Sequence, residues 1–161
     1  MRYRLLLVSI AFTGALAGAC APAVDVAKGV QVADVSTGWV DATAPAGTNK
    51  IVPSVSFTLK NVSDRTLPAL QINAVFRRAH EPQEWGNGFR AVPAARGVAP
   101  GRATDRVTIS AQLGYTGTDP HEALLQNSQF VDATVDLFAR AGSAQWTRIG
   151  EYPIARQLMA P

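Results

Sequence analysis

One cysteine and two histidines are all the thiol and imidazole chemistry this sequence of 161 residues offers. With Cys20 alone no intrachain disulfide can form. A tetrahedral zinc site needs several converging Cys, His or carboxylate ligands; here it would have to be assembled from His80, His121 and their acidic neighbours. After Ala19 no apolar run is long enough to cross a bilayer as a helix. Basic residues do not cluster beyond Arg77-Arg78, so the charge footprint of a nucleic-acid binder is missing. Also missing are the G-x-S-x-G elbow, H-E-x-x-H, S-x-x-K and a phosphate-cradling glycine loop. The common hydrolytic and nucleotide chemistries therefore have no motif here.

What is present begins with a leader. Arg2 and Arg4 precede an apolar or small-residue stretch from Leu5 to Ala19, too short to span but matching the core of a signal peptide. Leu16-Ala17-Gly18-Ala19-Cys20 resembles a bacterial lipoprotein processing site, in which small residues precede a cysteine that is acylated and becomes the new N-terminus. The alternative is ordinary cleavage after Ala17 or Ala19, both of which end small-x-small sequences. The lone thiol at this boundary favours acylation. Each buried methylene then adds about 0.8 kcal/mol, and two or more chains anchor stably. The resemblance implies a protein held in the cell envelope facing the periplasm. Ala21, rather than Asp, points to the outer membrane. Loss of Arg2 and Arg4 leaves 13 basic against 12 acidic residues, so the basic balance disappears with the leader.

The organisation expected is residues 1–19 as signal peptide, 20–29 as lipidated cysteine and tether, and 30–161 as one domain. From Val30 onward short apolar segments alternate with turn signals, which predicts antiparallel strands. Val30 to Ala42 forms the first, broken near Gly38. Val55, Phe57 and Leu59 alternate with Ser56, Thr58 and Lys60, so period two places the apolar set on one face. Asn61-Val62-Ser63-Asp64 closes that strand with turn formers. Leu70 to Phe76 is a third strand, Phe89 to Val92 an edge strand bounded by Gly86, Gly88 and Pro93, and Val98-Ala99-Pro100-Gly101 a turn. Strands around Val107-Ile109, Val131 to Leu137 and Trp146 to Ile154 follow, the last two joined as a hairpin through Ala141-Gly142-Ser143. One short helix is expected near 120–126, with Asp119 as N-cap, Pro120 at the first position and Glu122 completing a capping box. About seven strands with one apolar face each make an all-β, immunoglobulin- or fibronectin-like antiparallel sandwich.

The run Lys60-Asn61-Val62-Ser63-Asp64 between strands, with the later Ala99-Pro100-Gly101 turn before the Val107 strand, resembles the FxLYD-like sandwiches of uncharacterised bacterial envelope lipoproteins. Ile72-Asn73-Ala74-Val75-Phe76-Arg77 lacks the Tyr-Asp of that family's name. The resemblance implies a sandwich and no activity.

Candidate chemistry is thin. His80 with Glu81 and Glu84, and His121 with Glu122, make either a two-histidine site or two solvated loop residues. Asp132 and Asp136 share one strand face, the polar one, which reads as solvated surface. No catalytic residue, metal or cofactor is expected. Two loops stand out: Glu81 to Arg90 with Trp85 and Phe89, and Gln112 to Gly117 with Leu113 and Tyr115. Aromatic and arginine side chains dominate binding hot spots, and loops carry function on rigid scaffolds. Trp85, Phe89, Arg90 and Tyr115 are therefore the candidate partner-binding residues. The competing expectation is that Trp85 and Tyr115 fold inward as lids. Trp39 and Trp146, in strand segments, are expected in the core. The function expected is a non-enzymatic interaction module in an envelope assembly or transport system, with other envelope proteins as partners. The alternative is a carrier of a small ligand or lipid in a splayed interior.

Overall fold

The computed structural model describes residues 24–92 and 97–160; the stretch expected as a leader and Cys20 lie outside these residues. Alternation dictates the result. β1 (Val30–Asp41), β2 (Asn49–Asn61) and β5 (Val107–Ser110) form one sheet in that order, with the short β6 (Tyr115–Gly117) also paired to β2. β3 (Leu70–Arg78), β4 (Gly86–Val92), β7 (Ala133–Ala141) and β8 (Thr147–Pro153) form the other, in the order β4-β3-β7-β8. Every strand pair is antiparallel. The two sheets make the expected all-β sandwich, with eight strands rather than seven because β6 adds one inside the 112–117 loop.

Between the sheets lie Val55, Phe57 and Leu59 from one side and Ile72, Ala74, Phe76, Val135, Leu137 and Ala139 from the other, all fully buried. A truncation such as Phe57→Ala or Phe76→Ala would cost about 3–5 kcal/mol in lost burial and cavity formation. The outward residues of β2 are less solvated than their polarity suggests. Ser54 is buried, donating to the Ile109 carbonyl and accepting from Ser110 Oγ at 3.0 Å, while Ser56 Oγ pairs with Thr108 Oγ1 at 3.0 Å.

Several local expectations are corrected. Inside the span expected as tether, Asp25 accepts from the Ala27 amide at 3.0 Å and starts a single helical turn, α1 (Val26–Gly29), whose Val26 is buried. β1 is not broken at Gly38. Its register shifts between Ala33 and Ser36, where Asp34 takes a left-handed φ of 50° and its carboxylate accepts from Thr58 Oγ1 at 2.8 Å. β4 includes Gly86 and Gly88 instead of starting after them. A side chain at 88 would put its Cβ 2.3 Å from Ile109 Cγ2, so glycine lets the β4 edge close onto β5. The helix α2 (His121–Gln126) forms, but Pro120 occupies the cap position and no side chain caps it. Asp119 instead turns its carbonyl to the Asn49 side-chain amide at 2.9 Å.

Asn61 does more than end a strand. It is fully buried, and its Nδ2 donates to the carbonyls of Arg65 and Val98, both at 2.7 Å. Its Oδ1 accepts from the Ser63 amide and hydroxyl. Its main chain bonds to Arg102 and Gly101. The two turns singled out in the sequence thus form one unit, bolted through a single amide.

Candidate functional site

The aromatic residues sort into two groups. The first closes one end of the sandwich. Trp39, fully buried on β1, meets Phe130 at 4.8 Å between ring centroids in an edge arrangement, Tyr115 at 5.7 Å and Trp85 at 6.1 Å. Tyr115 in turn lies 4.8 Å from Phe130 and 5.3 Å from Trp85. The Tyr115 hydroxyl donates to the Val131 carbonyl at 3.2 Å and accepts from the Val131 amide at 3.1 Å, which pins the loop after α2. Arg78 and Arg156 cap the outside, stacked over Trp85 and Phe130 at 5.0 and 4.9 Å. Trp85 and Tyr115 therefore sit as partly buried lids, the second of the two arrangements the sequence allowed.

The second group is exposed on the outer face of the β4-β3-β7-β8 sheet. Pairing of Phe89 with Asn73, Asn73 with Phe138 and Phe138 with Arg148 sets these four side chains in one row across β4, β3, β7 and β8. Phe89 is 51% and Trp146 38% exposed, and their rings meet edge-on at 6.5 Å. Trp146 was expected in the core. It precedes β8 at the mouth of the hairpin turn and lies over the sheet's outer face instead. Arg140 stacks on it at 4.5 Å while its Nε donates to Gln71 Oε1 at 2.5 Å. Arginine on tryptophan is a cation–π contact, which also holds the guanidinium flat.

This aromatic patch borders a ladder of charge on the same face. Asp136, expected as solvated, is only 15% exposed because Arg77 and Arg148 both bond to it. Arg148 also reaches Glu151 at 2.5 Å. The bonds to Asp136 first, and Glu151 next, push the Arg148 pKa up from an already high value. Behind it Tyr152 has its phenol pKa raised by burial. Asp132 pairs separately with Arg156 at 2.5 Å.

Arg90 lies on the other side of β4 from Phe89, as alternation demands. It lines a crevice of about 450 Å³ between the free edges of β4 and β5, with Val92, Val98, Thr104 and Val107. Leu113 is 53% exposed at the opposite end. The four candidate residues are thus not one site: Trp85 and Tyr115 share the plug, Phe89 belongs to the patch, and Arg90 faces the crevice. Trp146, Phe138 and Arg140 complete the patch. The register, which pairs Phe89 and Phe138 through Asn73, is long-range information that the linear pattern does not carry.

The histidines go separate ways. His80 stands exposed at a left-handed φ of 66° in the β3–β4 turn. His121 Nε2 lies 3.2 Å from Asp41 Oδ1 without hydrogen-bond alignment. Among the described residues no group of three or more His, Cys, Asp or Glu could hold a metal ion, and no helix is long and apolar enough to cross a membrane.

No family model matches this chain, and no curated protein does. Among solved structures, the X-ray structure of Northeast Structural Genomics Consortium target SoR45 aligns with a TM-score of 0.44 at 14% identity, covering 81% of this chain and 89% of its own.

Proposed function

We propose that this chain is an exported, non-catalytic interaction module, anchored through lipid on Cys20 and facing the periplasm from the outer membrane, which binds another envelope protein. The observation that carries this reading is the Phe89–Trp146 pair, two large aromatic side chains left in solvent beside Arg140 on a rigid sheet face. Trp, Phe and Arg are enriched in interface cores, and a tethered domain gains from presenting them on strands that cannot rearrange. The charge ladder around Asp136 supplies the polar rim. The leader and the boundary at Cys20 support the compartment. The interior between the sheets is filled by side chains, and no observation among the described residues favours the carrier reading.

The test is a pull-down from native membranes with the intact protein and with the Phe89→Ala, Trp146→Ala double variant, read by mass spectrometry. Specific partners should be recovered with the native face and lost with the variant, while it stays folded. Equal recovery by both would end the assignment of this face. The mass of the N-terminal peptide from the same sample tests acylation: a new terminus at Gly18, or at an unmodified Cys20, would remove the anchor.

A further inference from the structure

β1 is the edge strand of its sheet, and its outer side is not left bare. After Ile154, whose amide donates to the Ala133 carbonyl at 2.8 Å and whose side chain is buried, the chain turns at Arg156 and runs along β1. The Trp39 amide donates to the Gln157 carbonyl, and the Met159 amide donates to the Trp39 carbonyl, both at 2.8 Å, forming a parallel bridge between Trp39 and Leu158. Gln157 Nε2 adds a bond to the Thr37 carbonyl at 2.9 Å, and Thr37 Oγ1 accepts from the Ala155 amide at 3.2 Å. Leu158 packs against the core. Met159 lies where Gly38 has no side chain, since a Cβ there would stand 2.7 Å from Met159 Cγ and 2.8 Å from the Gln157 carbonyl oxygen.

Arg156 fastens the start of this strap, bonding to Asp132 at 2.5 Å and stacking over Phe130, while open space borders the rest. Open crevices of about 410 and 370 Å³ flank it, one toward α2 and one toward Ser36, Ser56 and Arg106. Its seat, by contrast, is specific: a main-chain bridge at Trp39, an apolar position for Leu158 and a gap at Gly38 for Met159. An edge strand that accepts an extended segment through main-chain bonds, with pockets for alternate side chains, is the geometry of strand addition. We infer that the Thr37–Trp39 edge of β1 is a strand-acceptor site, filled in this chain by its own residues 157–159 and able to take the same residues of a second copy. The seat fits this sequence because it already holds it, and for the segment to cross between copies the turn at Arg156, closed by the Gln157 amide on the Ala155 carbonyl at 2.8 Å, must open. Exchange of an identical element in this way generates a two-fold dimer without a new interface. The inference does not depend on the function proposed above.

The experiment uses the chain ended after Ala155 and a fluorescent synthetic peptide of residues 154–161, followed by anisotropy. Saturable one-to-one binding is expected, weakened at least about tenfold, or roughly 1.4 kcal/mol, by Leu158→Asp in the peptide. Gly38→Val in the protein should abolish it. A shortened chain that is folded by circular dichroism yet does not bind, or that binds regardless of both changes, overturns the proposal. Should the shortened chain fail to fold, the full chain decides: tagged and untagged copies are warmed together at high concentration, cooled and purified on the tag. Mixed dimers are expected with the native sequence and none with Gly38→Val. Their absence from the native sample, or their persistence in the variant, overturns it equally.

Discussion

Two groups of aromatic side chains, built from the same residue types, do opposite things in this molecule. Trp39, Trp85, Tyr115 and Phe130 converge from two strands, a loop and the segment after α2 to seal one end of the sandwich. Phe89 and Trp146 meet each other edge-on beside Arg140 and keep much of their surface exposed. The contrast lies in what surrounds each ring, not in the ring. At the plug, burial removes apolar area from water and adds edge-on ring contacts, each worth about 0.5–1.5 kcal/mol beyond area. At the patch, much of the same area stays hydrated and contributes to stability only when a partner covers it.

Changes at the two places should therefore separate cleanly in size. Trp39→Ala heads the order, with an expected loss of about 3–5 kcal/mol in urea unfolding, since it empties the centre of the plug. Next comes Tyr115→Phe, which keeps the ring but removes both bonds to Val131, for about 1–3 kcal/mol; a value near zero would mean that the hydroxyl does not pin the loop. Asp136→Ala, which strips Arg77 and Arg148 of their shared carboxylate, should cost about 1–2 kcal/mol and less in high salt. The Phe89→Ala, Trp146→Ala pair should cost only about 1 kcal/mol, the value of one edge-on ring contact and one exposed cation–π contact. A loss of several kcal/mol there would erase the distinction between plug and patch. The smallest effect is in pH. Burial raises the Tyr152 phenol pKa in the folded state, so the unfolded chain loses that proton first as pH rises. Stability should be level below the ordinary phenol range and decline above it, and Tyr152→Phe should flatten that decline in alkaline melts.

Sequence periodicity was sufficient for the sheets, because β2, β3 and β7 carry alternating stretches at 55–59, 70–74 and 133–137 whose apolar face has only one place to go. It was insufficient wherever a contact spans the chain. Asp34 rather than Gly38 disturbs β1, because glycine there answers to Met159, more than a hundred residues away. The α2 cap failed to form although its residue types were right: Pro120 stands at the cap position, and Asp119 lies one residue before it with its carbonyl accepting from the Asn49 side-chain amide. Trp146 looked like core from its neighbours in β8. Only the pairing of β4 with β3 and of β3 with β7 reveals that Phe89 and Phe138 lie in one row on the outer face. The lids at Trp85 and Tyr115 were legible as one of two arrangements, and nothing local could choose between them.

The bolt at Asn61 carries a practical consequence for anyone producing this protein. Asn61-Val62-Ser63 is an acceptor tripeptide for N-linked glycans in eukaryotic secretion. In the folded domain both protons of that side-chain amide are already committed to the Arg65 and Val98 carbonyls, out of reach of any transferase. A sugar attached while the nascent chain is still open would occupy the same nitrogen and keep the two turns from joining. Yeast or mammalian export should therefore yield a misfolded glycoprotein retained by quality control, where a host without that machinery delivers the native domain.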